Sequence, residues 1–134
     1  MAGPRFLYMS RGSGNQRQFG WRLVGANNRP LGFGWHDHDS LAECQAAVAQ
    51  LRALVPSGEV RLLADLTTGL WSWRFEGLGQ RWATSTRSYH RQRECRYNAE
   101  AFVAAVPVAA DAATVVSLPH ADGLRAVDRR FASC

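Results

Sequence analysis

With 134 residues, sixteen basic and eleven acidic side chains and a formal charge of +5, the chain is one domain's worth of polypeptide with a mild bias toward anionic partners. Its apolar stretches, of which Phe102 to Ala110 is among the longest, fall far short of the roughly 20 residues that cross a bilayer. Met1-Ala2-Gly3-Pro4-Arg5 lacks the apolar centre of a secretion signal, so a cytoplasmic chain with no membrane partner is expected.

Phe6-Leu7-Tyr8-Met9 is a β-prone run, and Gly12-Ser13-Gly14-Asn15 reads as a turn. From Phe19 to Val24 the pattern alternates, with Phe19, Trp21 and Leu23 on one side and Gln18, Arg22 and Val24 on the other, as in a half-buried strand. Gly25-Ala26-Asn27-Asn28 is a hairpin turn, because Gly and Asn tolerate positive φ, and Pro30 to Trp35 is a third strand. Ser40 followed by Glu43 is a capping box that opens a helix. Leu41, Cys44, Ala47, Val48 and Leu51 give that helix its apolar stripe, and Pro56-Ser57-Gly58 ends it.

The order then returns. Trp21-Arg22-Leu23-Val24-Gly25 reappears 52 residues later as Trp73-Arg74-Phe75-Glu76-Gly77. Val60 to Ala64 and Leu70 to Glu76 are strands, the second with Trp71, Trp73 and Phe75 on one face; Gly77-Leu78-Gly79-Gln80 is a turn and Arg81 to Ser85 a third strand. A second helix is expected from about Arg91 to Ala105, ending at Pro107, with Cys95, Ala99, Phe102, Val103 and Val106 inward. No Ser or Asp caps it; His90-Arg91-Gln92-Arg93 stands where the positive helix end favours acids. Thr114 to Leu118 is the last β-prone run, and Pro119 to Cys134 is a short helix or a tail. One domain over 1–118, made of repeats at about 4–58 and 59–118, with an extension at 119–134, is the expected organisation.

This order resembles the YegP-like family of small tandem-repeat proteins. The residues that carry the resemblance are Phe6 to Met9, Trp21 to Asn28 and Ser40 to Pro56, then Val60 to Ala64, Trp73 to Gln80 and Glu94 to Pro107. The resemblance implies an α+β fold in which a tandem repeat of β-β-β-α-β units forms one antiparallel sheet with two helices packed on one face. It further implies that the strand after each helix completes the other repeat, with a pseudo-two-fold axis between the copies. It carries over no catalytic residue and no cofactor.

Several residue clusters bear on function. Arg81, Arg87, Arg91, Arg93 and Arg96, interleaved with Trp82, Tyr89 and His90, put cationic forks and aromatics at a helix start, a combination suited to phosphate contacts and stacking, and so to an anion, nucleic acid or other partner. All sixteen basic residues are Arg, whose guanidinium is permanently charged. Arg22, Arg61 and Arg74, with Val24, Leu63 and Glu76, are expected on the sheet face away from the helices; if the parity inverts, the aromatic stripe itself marks an interface. His36-Asp37-His38-Asp39, with His90 or His120 approaching in space, has the donors of a metal box, but a polar loop before a helix is the favoured reading and no metal site is expected. Cys95 with His90 has the elements of a nucleophile and base, but the matching Cys44 has no such partner, and both thiols read as small core hydrophobes. The expected function is a non-enzymatic macromolecule-binding module, monomer or homodimer, with a protein as leading partner. Nucleic acid held by the Arg81–Arg96 segment is the alternative, and a small metal or thiol enzyme is a third class.

Overall fold

The computed structural model describes residues 3–118; the expected helix or tail over 119–134, with His120 and Cys134, lies outside the described residues. In chain order the elements are β1 (Arg5–Arg11), β2 (Gln18–Val24), β3 (Pro30–Gly34), α1 (Leu41–Leu54), β4 (Glu59–Ala64), β5 (Trp71–Gly77), β6 (Gln80–Thr84), α2 (Gln92–Ala105) and β7 (Ala110–Ser117). No helix among them is long and apolar enough to cross a membrane.

The seven strands form one sheet in the order β4-β5-β6-β3-β2-β1-β7. Each half contributes an antiparallel three-strand meander, and the two meet at β3 and β6, where Phe33 pairs with Thr84 and Gly34 with Ala83. The expectation of a wholly antiparallel sheet is corrected at one edge, where β7 runs parallel to β1. The cause is the short connection after α2. It delivers Ala110 to the beginning of β1, where its N–H donates to the Pro4 carbonyl at 3.1 Å, and the strand can only continue alongside β1. β7 is also longer than the Thr114–Leu118 run, beginning in the alanine-rich stretch at Ala110. β1 extends past Met9 through Ser10 and Arg11, both buried despite their polarity.

Alternation in the strands sends Phe6, Tyr8, Trp21, Leu23, Trp73 and Phe75 toward the helices, where all are buried. From α2, Phe102 enters between the two tryptophans, its ring 4.8 Å from Trp73 and stacked 6.3 Å from Trp21. Glycines on β3 make room for this layer. A Cβ on Gly32 would lie 2.7 Å from the Phe102 ring, and one on Gly34 would lie 2.7 Å from the Trp21 indole nitrogen. From α1, Cys44, Val48 and Leu51 complete the core. The α1 start is capped as its sequence predicts, with the Glu43 N–H donating to Ser40 Oγ at 3.1 Å. The α2 start has Arg91 at the cap position and no side-chain cap bond.

Candidate functional site

Two grooves lie where a hairpin of one half meets the helix of the other. The wider, about 740 Å³, runs between the β2–β3 turn and the first half of α2. The turn takes its shape from Asn27 and Asn28, both at positive φ (62° and 59°), and Arg5 donates to the Asn28 side-chain carbonyl. The Gly25 N–H closes the loop on the Arg29 carbonyl at 2.8 Å, which leaves Arg29 exposed on the groove wall. Leu31 and Tyr89 are buried at its base; Tyr89 is fixed by two main-chain bonds of 2.6 Å to Trp71. The Arg87 guanidinium lies 4.7 Å from the Tyr89 ring centre, and burial raises the Tyr89 hydroxyl above its ordinary pKa. Arg93, Glu94, Tyr97 and Asn98 supply the helical wall. Tyr97 is 69% exposed, and Asn98 accepts from the Trp73 indole N–H at 2.7 Å, tying the wall to the core. Three arginines against one glutamate, beside a helix start without a side-chain cap, make this groove attractive to anions.

The second groove, about 360 Å³, lies between the first half of β6 and α1. Trp21, Trp35 and Trp82 are among its walls, with His36, His38, Glu43 and Arg81. These groups are engaged locally. Trp82 donates to the Gly77 carbonyl at 2.9 Å, Arg81 lies 5.1 Å from the Trp35 ring, and His38 exchanges two 2.8 Å main-chain bonds with Phe19. Burial pushes the His38 imidazole below its ordinary pKa, with the neighbouring Glu43 opposing that shift.

The sequence candidates therefore separate in space. Arg87, Tyr89 and Arg93 come together in the wide groove; Arg81 and Trp82 belong to the narrow one; Arg96 lines a third depression between α2 and β4. His90 and Arg91 are exposed at the α2 start and line neither groove. Arg29, Tyr97 and Asn98 were not among the candidates. Tyr97 was findable as an aromatic on the polar side of α2, whereas Arg29 reaches the groove only through the sheet pairing.

Arg22, Arg61 and Arg74 share one row across the face opposite the helices, in register through Phe33 and Thr84. Arg61 is exposed, while Arg22 and Arg74 are half-buried. Glu76 takes Arg61 at 2.7 Å and Arg74 at 2.5 Å, with Arg81 at 3.9 Å, and the hydrogen bond from Arg61 is the main cause holding the Glu76 carboxyl below its usual range. Much of this face's charge is thus internally matched.

The His36–Asp39 stretch is likewise engaged in structure. Asp37 forms an ion pair with buried Arg11, Asp39 accepts from Gln18 at 3.4 Å, and among the described residues no group of three His, Cys, Asp or Glu side chains is placed to hold a metal. Cys44 and Cys95 are fully buried; burial raises their thiols to about 12 and about 11, so both stay protonated near neutrality. Cys95 is therefore placed as a buried core side chain, like Cys44.

Two solution NMR structures share the fold. One is the Escherichia coli protein of unknown function yegP, with a TM-score of 0.62 and 16% identity over 87% of this chain and 94% of that one. The other is a UPF0339 protein from Shewanella oneidensis, with a TM-score of 0.65 and 12% identity over 88% of this chain and 97% of that one. No family model matches the sequence, and no curated protein does.

Proposed function

We propose that this chain is a divergent YegP-like protein, built from two copies of one strand–strand–strand–helix segment, and that it is a non-enzymatic interaction module. The wide groove holds an acidic segment of a partner protein. The observation that carries this reading is the convergence of Arg29, Arg87 and Arg93 from three separate segments around Tyr89 and Tyr97. Guanidinium forks take carboxylates in bidentate fashion, and exposed tyrosine adds contact area at little entropic expense. A volume of about 740 Å³ is in the range of built ligand clefts, roughly 300–1,000 Å³. Copying also accounts for the matched grooves and for Cys44 and Cys95 sitting at like places in the two helices. The buried, protonated thiols support a role without covalent chemistry.

The reading is tested by titrating a fluorescent glutamate-rich peptide into the protein and into the Arg87→Ala, Arg93→Ala double variant. Loss of two charge-assisted contacts should weaken binding by about a hundredfold, from roughly 1.5 kcal/mol each. Equal affinity for both proteins would reject the groove. Single-stranded RNA binding in place of the peptide, with a steep salt dependence lost in the same variant, would replace the protein partner with nucleic acid.

A further inference from the structure

The outer edge of β4 carries the same backbone pattern as the β1 edge on which β7 sits. On β1, the carbonyls of Pro4 and Ser10 accept from β7, so the even positions direct their main-chain groups outward while their side chains face the helices. On β5, the main-chain groups of Trp71 and Trp73 bond away from β4: Trp71 exchanges bonds with Tyr89, and the Trp73 carbonyl accepts from Ser85. Their β4 partners are Ala64 and Leu62. In an antiparallel ladder these residues therefore turn their own N–H and C=O groups to the outer edge, and Val60 does so by the period of two. Among the described residues no strand pairs with that edge.

Beside it lies a groove of about 320 Å³, whose walls include Val60, Leu62, Ala99 and Val103, with Arg96 and Glu100 at its rim. Where β1 meets α1, the comparable space is filled: Phe6 and Tyr8 are large, Arg52 lies 4.9 Å over the Phe6 ring, and Arg52 binds Asp111 of β7 at 3.0 Å. At β4 the side chains are smaller and Arg96 holds no ion pair among the described residues.

We propose that the β4 edge receives an extended segment of a partner protein as an eighth strand, parallel to β4, with alternate apolar side chains in the groove and an acidic one at Arg96. The charge follows from the exposed Arg96 and the +5 balance of the chain. A second copy pairing β4 with β4 is the competing occupant that the concentration arm of the test separates. This surface is separate from the wide groove and stands independently of it.

The probe is an acetylated decapeptide alternating valine and threonine with one glutamate near its carboxyl end, added to the full chain and followed by amide hydrogen exchange. The expected result is protection of the Leu62 and Ala64 amides, and of Val60, by at least about tenfold, with Arg61 and Leu63 unchanged because they already face β5. Leu62→Pro, which removes one outward donor, should weaken the peptide by about tenfold. Because that variant strains a strand, Arg96→Glu provides a second arm on the helix surface: it should weaken the same peptide and restore binding to a lysine-ended one. Uniform protection, or none, overturns the proposal. So does equal binding by Arg96→Glu, or alternate protection that appears without peptide and grows with protein concentration, the mark of a second copy.

Discussion

The narrow groove over α1 and the wide groove over α2 are built from like elements and end in different chemistry. Over α1, the helix start is capped by Ser40, Trp82 and Arg81 bond within the fold, and Asp37 is taken by Arg11. Over α2, Arg91 stands at the cap position, Arg29 and Arg93 are exposed, and Tyr97 faces solvent. Local stability chooses residues that satisfy one another, as the α1 side does. The α2 side leaves donors and charge available, which the proposed partner role would use.

The largest effects should fall on the core that both grooves share. Trp73→Ala removes a fully buried indole and its bond to Asn98 and should destabilise the fold by about 3–5 kcal/mol in chemical denaturation. A small loss would mean that the wide groove's helical wall is not tied to the core. Gly32→Ala places a methyl against Phe102 and should cost about 1–3 kcal/mol by overpacking.

The helix starts give the sharper contrast. Ser40→Ala should cost about 1 kcal/mol by leaving the Glu43 N–H without its cap, whereas Arg91→Asp should gain up to about 1 kcal/mol by supplying one to α2. Equal signs from thermal melts of the two variants would break the comparison. The smallest expected effect is that of His38. Burial holds its folded pKa below the unfolded value of 6.5, so the unfolded chain takes up the proton first. Its effect is absent above that pH, and stability falls as pH drops through it. His38→Gln should flatten this part of the stability–pH curve; an unchanged slope would assign the loss to other groups.

Much of the frame was readable in the residues themselves. Two-residue alternation placed Trp21 and Trp73 inward, the Ser40–Glu43 spacing marked a capped helix, and prolines marked both helix ends. The parallel β7 was not readable, because strand direction depends on where a short connection returns the chain in space. Ser10 and Arg11 hid the end of β1, since their polarity is satisfied by partners distant in sequence. The wide groove was half legible: Arg87, Tyr89 and Arg93 lie close together in the chain, but Arg29 joins them only once β3 has paired with β6.

The proposed functional asymmetry between the two grooves is best measured by amide NMR of the isotopically labelled protein titrated with the glutamate-rich peptide. Saturable shifts confined to Asn27, Arg29, Arg87, Arg93 and Tyr97, with Trp35, His36 and Trp82 unmoved, are the predicted result. Shifts centred on Trp35 and His36, or spread equally over both grooves, would contradict it.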